Sequence, residues 1–459
     1  MEKLTVKQIY RTLWRWHFYA GVFAIPFVII LSITGALYLF KPQLDALHDA
    51  SYRNLIVTGE LSTPEQQVAV ALAAVPGATF TAYELAREKT DAINILVNKS
   101  GEKIRVYIHP QALAILAIEK EDSRFLRIVH DIHGELLMGK VGSVLVELAA
   151  CWAIVLVLTG IYLWWPRTAN GIAGILYPRF ALKGRLFWRD LHSVVGIWIS
   201  CLVLFLLISG LPWAYVWGNA LKEVRALGSG VPQQQDWVVA GRSANTDEHA
   251  QHNQMPTITI DEHTEHHHHG GAGMAGFNPL QKIVSLNLIV ESAQQLQLAY
   301  PALATPPSAG SSMWSAKSNA QNRPQRADAY FSAQTGELVS YQSFAQRQLV
   351  DRVIGIGVAA HEGQLFGWFN QLLGLLTALG LLAISISGFI MWRKRAPEGV
   401  LGAPPAMPEA KIGYGFVAII LVAAILLPVL GASLIIILAL EKLIFSRWAS
   451  AKLWLGLTS

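Results

Sequence analysis

Cysteine is nearly absent from this 459-residue chain, which has only Cys151 and Cys201. Neither sits in a CxxC or CxxCH arrangement, which removes thioredoxin-like redox chemistry and covalent c-type haem attachment. Charge is also scarce, at 15% of residues against 53% hydrophobic, too apolar for an ordinary soluble protein of this size. The shortage is local. Residues 16–40, 148–166, 193–221, 364–392 and 412–440 contain no Asp, Glu, Lys or Arg. About 20 apolar residues carry a helix across a bilayer core, so each run reads as a membrane span. The first is longer than a signal-peptide core and is read as a retained helix.

Basic residues cluster beside the runs. Lys3, Lys7, Arg11 and Arg15 precede the first; Arg167, Arg179, Lys183, Arg185 and Arg189 separate the second from the third. Arg393, Lys394, Arg395 and Lys411 separate the fourth from the fifth. The positive-inside rule places these short segments in the cytoplasm and the two long connections on the other side. The net charge of +5 follows from that topology and implies no nucleic-acid partner.

The organisation this predicts is an α-helical membrane protein with a duplicated two-helix unit, a fifth helix and two outer α+β segments. Residues 1–40 hold the N-terminal segment and first span, 41–128 the first outer segment, 129–167 the second span and 168–190 an inner loop. Residues 191–217 form the third span, 218–360 the second outer segment, 361–395 the fourth span and 396–411 a second inner loop. Residues 412–445 form the fifth helix, and 446–459 a tail that lies outside if that helix crosses once. In the outer segments, Thr63–Val75 and Ile289–Leu298 read as helices. Ile93–Val97, Ile104–Ile108, Ala114–Ile118, Ala329–Ser332 and Leu338–Tyr341 read as strands.

The duplication is visible in histidine–glycine offsets. His133 and His361 each have a glycine at +6 (Gly139, Gly367), another at +27 (Gly160, Gly388) and a tryptophan at +31 (Trp164, Trp392). His17 and His192 each have a glycine at +4 (Gly21, Gly196) and another at +18 (Gly35, Gly210). Ionisable side chains at membrane helices are costly and mark function. Topology puts His17 with His192 at the inner surface and His133 with His361 at the outer surface. Two such pairs suit two bis-histidine haem b groups, one per layer. The 18 residues from His17 to Gly35 span about 27 Å of helix, so the pairs would form a wire across the bilayer. Gly21 and Gly196 would let a flat macrocycle approach the backbone, and Arg15 and Arg189 are candidate partners for its propionates. The bland alternative makes the glycines packing positions and the histidines interfacial anchors. His130, one turn before His133, is an alternative or supporting ligand; its repeat counterpart is Val358, which favours His133.

The stretch 248–273 holds His249, His252, His263, His266, His267, His268 and His269. Such imidazoles bind Cu, Zn or Fe ions, but no fixed spacing defines a site. A polar linker or a leftover affinity tag are the other readings.

Val129-His130-Asp131-Ile132-His133-Gly134, Gly160-Ile161-Tyr162-Leu163-Trp164-Trp165-Pro166-Arg167 and His361-Glu362-Gly363-Gln364-Leu365-Phe366-Gly367 resemble motifs of the PepSY-associated transmembrane family. Tyr330–Leu338 and Val106–Pro110 resemble parts of its PepSY modules. The likeness covers roughly residues 8–445. It implies a bacterial inner-membrane protein linked to iron uptake, with two PepSY-like periplasmic modules. It further implies a haem-containing oxidoreductase that reduces a ferric siderophore or metal ion; its electron donor, cytoplasmic or quinol, is not named by the sequence. His109 and the His-rich insert depart from the pattern and leave the substrate open. The competing class is a metal-binding sensor or chelate-transport protein without haem. The lack of acidic residues within the five runs favours electron transfer.

Overall fold

The computed structural model describes residues 6–166, 171–229, 286–308, 313–404, 414–445 and 447–457. The His-rich stretch therefore lies outside the described residues. Among the described residues, five helices are long and apolar enough to cross a membrane. Four of them form a ring: α1 (Val6–Leu39), α5 (Gly139–Trp164), α6 (Arg185–Gly210) and α10 (Trp368–Arg395). α1 packs on α5 and α10, and α6 packs on the same two, so α1 and α6 are diagonal partners. Trp198, Leu158, Phe205, Ile386 and Phe389 are exposed on the bundle, the apolar surface that lipid would cover.

One end of the bundle carries the basic loops; the other carries a sheet. α1 runs into α2 (Lys41–His48), then α3 (Pro64–Ala74) and strands β1 (Thr79–Glu84), β2 (Ile93–Lys99), β3 (Glu102–Ile108) and β4 (Ile115–Lys120). After α6, the chain forms α7 (Tyr215–Ser229) and α8 (Leu286–Gln295). It continues through β5 (Ala302–Thr305), β6 (Met313–Ser318), β7 (Ala327–Ser332) and β8 (Leu338–Ser343). The two long segments each contribute four strands to one eight-stranded sheet in the order β4-β3-β2-β1-β5-β6-β7-β8. The seam is the antiparallel pairing of Tyr83 with Ala304 and Glu84 with Leu303. Val68, Ile95, Val106, Leu286, Ile289, Trp314 and Phe331 share one core across it. Each such side chain contributes about 1.5–3 kcal/mol when fully buried, so the halves stabilise each other. α3 begins where expected, because Thr63 and Gln66 form a capping box and Pro64 opens the helix.

A buried charge network ties the sheet to the bundle. Arg105 donates to Glu84 and Glu121, each at 2.5 Å. Arg124, at the start of α4 (Phe125–Glu135), contacts Asp49 at 3.3 Å and Tyr107. Arg124 thus ties the start of α4 to Tyr107 of the sheet and to Asp49 just beyond α2.

Several span boundaries are corrected. His133 is on α4, which ends before α5; Leu136, Leu137 and Gly139 turn the chain with positive φ. His361 likewise ends α9 (Leu349–His361), and Gly363 and Gly367 at φ 75 and 61 lead into α10. Gly363 is required twice over, since a Cβ there would meet Leu39 at 2.8 Å. The third span ends at Gly210, not 217, in a short 3-10 turn containing Pro212. Glu147 lies inside α5, buried, so the spans do contain an acid. Its carboxylate accepts from the N–H groups of Val216 and Trp217 at 2.8 and 3.1 Å, satisfying the open start of α7.

The fifth helix is also corrected. Leu427, at φ -126 and ψ 81, divides it into α11 (Tyr414–Leu426) and α12 (Pro428–Leu440). Pro428 cannot continue the hydrogen bonding of α11. The tip packs with Cys151 and Leu211 in one cluster, while both ends lie at the basic end. There the Leu401 N–H donates to the Trp454 carbonyl at 2.8 Å, and Arg15 donates to the carbonyls of Pro404 and Gly456. The segment thus enters and returns. The tail, with α13 (Ala449–Leu455), sits beside the start of α1 rather than with the sheet. A cysteine at Leu453, in a background without Cys151 and Cys201, should react with an impermeant thiol reagent from the same side as one at Lys7. Labelling of Leu453 from the side that labels a cysteine at Leu338 would contradict the hairpin.

Candidate functional site

The four repeated histidines are seated in one way. His17 Nδ1 lies 2.9 Å from Thr159 Oγ1, His133 Nδ1 2.9 Å from Thr34 Oγ1, and His361 Nδ1 2.9 Å from Ser209 Oγ. His192 Nδ1 lies 2.9 Å from the Ile384 carbonyl and 3.3 Å from Ser387 Oγ. Each hydroxyl donates its single proton to the carbonyl four residues back in its own helix: Ile30, Val155, Phe205 and Ala383, at 2.7–2.8 Å. With its proton placed there, it accepts from the imidazole. The Ile384 carbonyl can only accept as well. All four rings thus carry their proton on Nδ1, leaving the Nε2 lone pair as the available donor atom, the state a metal ligand needs.

The residue after each hydroxyl is a glycine. A Cβ at Gly35 would meet His133 Cε1 at 3.2 Å, at Gly160 His17 Cε1 at 3.3 Å, at Gly210 His361 Cε1 at 3.5 Å, and at Gly388 His192 Cε1 at 3.4 Å. The glycines at +18 and +27 are thus seats for the imidazoles of the adjacent helix. The hydroxyls are what the sequence reading missed, although their spacing repeats too: 17 residues after His17 and His192, and 26 after His133 and His361.

The structure brings His17 and His192 together across the bundle diagonal at the basic end. Their ring centroids are 6.3 Å apart and their planes cross at 86°. Two imidazoles on opposite sides of one metal ion need about 2 Å from metal to each nitrogen, plus about 1 Å to each ring centre, or about 6 Å in all. His133 and His361 are neighbours at the sheet end. Outside the spans, burial pushes the His133 imidazole down to about 3, and His361 and His130 act in the same direction. Burial also lowers His361, to about 4. Both rings are neutral at physiological pH. His361 touches the Trp213 ring edge-on at 6.0 Å, and Arg323 lies 5.7 Å from the centre of that ring. Neither Trp213 nor Arg323 had a signal in the sequence reading.

The other candidates are placed differently. His130 is exposed, its Nδ1 3.1 Å from Asp131, with its ring 5.7 Å from Tyr38; it does not share the hydroxyl–glycine seat. Arg189 pairs with Asp190 at 2.9 Å, and Arg15 holds the Pro404 and Gly456 carbonyls. His249, His252, His263 and His266 to His269 lie outside the described residues. A Cβ at Gly196 would meet nothing within 4 Å, and one at Gly21 only Leu156 at 3.8 Å. Bare backbone therefore faces open space one turn beyond His17 and His192. Among the described residues no three metal-ligating side chains cluster. A metal gripped by either pair would complete its coordination with donors from outside the protein, as an iron porphyrin does. The donor set fits haem.

The model of the PepSY-associated TM region matches residues 14–395. The chain belongs to that family. The match spans all four ring helices, both histidine pairs and the sheet between them. No curated protein matches this PepSY-associated chain.

The seating predicts the tautomer directly. In ¹⁵N-histidine spectra of the cofactor-free protein, the four buried imidazoles should report protonated Nδ1. Thr159→Val should release His17 alone from that state. A protonated Nε2 on these rings would contradict the hydrogen-bond assignment.

Proposed function

We propose that the chain is a di-haem b oxidoreductase that carries electrons across the inner membrane to a periplasmic ferric siderophore or metal ion, in support of iron or metal uptake. The observation that carries the reading is the His17–His192 separation of 6.3 Å, combined with Nδ1 anchors that leave both Nε2 atoms to bind. His17 with His192 would hold one haem and His133 with His361 the other. Each haem, when bound, supplies one-electron iron chemistry. The protein's part is to hold the imidazoles neutral and oriented, to keep the centres dry, and to set their separation. About 18 residues of helix, or roughly 27 Å, separate the layers.

The basic end is assigned to the cytoplasm and the sheet to the periplasm, on the distribution of Lys and Arg. At the sheet end, Trp213 bridges His361 and the buried Arg323. The second pair thus lies at the end of the bundle that carries the sheet, the side from which an acceptor would approach. Adding one electron to Fe(III) weakens its hold on hard oxygen donors, so reduction would free the metal from its chelator. The siderophore class comes from the family resemblance.

A reduced-minus-oxidised spectrum of the purified protein tests this. The native protein should show a b-type α-band. His192→Ala and His133→Ala should each remove about half of it. Loss of a supporting hydrogen bond lowers metal affinity about 10–100-fold, so Ser209→Ala should reduce occupancy of the sheet-end centre. A colourless native protein would overturn the reading.

A further inference from the structure

The basic end contains a cavity of about 250 Å³, walled by Trp14, Arg395, Pro397, Val400, Leu453 and Trp454, among others. Three distant parts of the chain build it: the start of α1, the end of α10 with its loop, and α13. The last is strapped in place. Arg15 donates to the Gly456 carbonyl at 2.8 Å, Tyr19 to the Leu455 carbonyl at 2.5 Å, and the Leu401 N–H to Trp454. Trp14 precedes His17 by three residues, about 4.5 Å along the helix. Arg395 follows Gly388, the seat of His192, by seven residues, or about 10 Å. The cavity therefore adjoins the basic-end histidine pair.

Its chemistry is specific. The Arg395 guanidinium lies 5.3 Å from the centre of the Trp14 ring and 4.7 Å from that of Phe18, and it donates to the Gly402 carbonyl. With five N–H groups, it can hold Gly402 and still present donors to the cavity that it lines. Arg395 is the one charged residue among the described lining residues, and it is the last residue of a candidate span. The opening is thus at the level of the membrane surface, where tryptophans gather.

We propose that this cavity binds the ring of a lipid-soluble quinol that supplies electrons to the His17–His192 centre. The proposal rests on the electron-carrier reading above. Pockets for drug-sized ligands run to about 300–1,000 Å³, so this one suits a single ring whose tail remains in lipid. A nicotinamide or flavin dinucleotide is larger and brings phosphates that one arginine would have to balance. The Arg395 N–H groups would bind the quinone oxygen, and the two tryptophans would flank the ring. The quinol loses two electrons and two protons and becomes quinone. A haem held by His17 and His192 would take the two electrons one at a time, and the two protons would leave to water at the basic end.

Binding can be read without haem. The full-length protein in detergent is titrated with decylubiquinone while tryptophan fluorescence quenching is followed. Saturable quenching is expected, at least tenfold weaker in Arg395→Gln, partly restored in Arg395→Lys and weakened in Trp454→Leu. A thermal melt of each variant checks folding. The proposal is overturned if the native protein shows no saturable quenching, if both Arg395→Gln and Trp454→Leu bind as tightly as native, or if FMN displaces the quinone. Quinone binding by a protein without haem supports the cavity assignment while overturning the electron-carrier reading. Haem bands without quinone binding overturn only this proposal.

Discussion

A hydrogen bond between an imidazole Nδ1–H and an oxygen of the neighbouring helix is the constraint on which the rest of this molecule depends. It occurs four times, and in three cases the acceptor is a hydroxyl already committed to its own helix backbone. In the fourth, a backbone carbonyl takes that part, with Ser387 beside it. Because the hydroxyl's proton is spent, the bond has only one polarity, and the ring has only one tautomer. The adjacent glycine lets the ring edge lie almost on the backbone. In an apolar interior an unpaired imidazole N–H would cost a few kcal/mol, so each histidine is secured by the helix opposite and each helix by a histidine.

This reciprocity organises the bundle. α1 and α5 exchange histidines: His17 reaches Thr159, and His133, just ahead of α5, reaches Thr34. α6 and α10 repeat the exchange through His192 and His361. The two couples then meet so that His17 faces His192 across the diagonal. The sheet adds rigidity at one end, since Arg124 ties α4 and its His133 to the half-buried Asp49 and to Tyr107. The C-terminal hairpin packs on the outside of α5 and brings α13 back to cover the other end.

Much of this was legible from residue spacing. Four spans followed from the uncharged runs, the repeated histidines and glycines from offsets that recur to the residue, and the pairing of the histidines from the topology. The hydroxyls were overlooked because Thr34, Thr159, Ser209 and Ser387 are unremarkable inside apolar runs; small polar residues in membrane helices usually bond to their own backbone. Only the cross-helix contact shows the second bond. Glu147 escaped notice because α5 starts nine residues before the uncharged run at 148. The hairpin was misread because 412–440 has the length and apolarity of a single crossing, and the effect of Pro428 depends on what packs against it. β1, β5 and β6 were missed for a related reason. Met313–Ser318 is rich in polar residues, yet Trp314 and Ala316 are fully buried, since alternation over six residues is a weak signal. The joining of two segments into one sheet rests on the contact of β1 with β5, more than 200 residues apart in sequence, and local pattern carries no trace of it.

The most direct test of the central claim is the number of haem b groups per polypeptide, from pyridine haemochrome absorbance and total iron on the same purified sample. The account predicts two per chain in the native protein, one in the His17→Ala/His192→Ala double variant and one in the His133→Ala/His361→Ala double variant. A native value near zero, or full occupancy retained in either double variant, would contradict it.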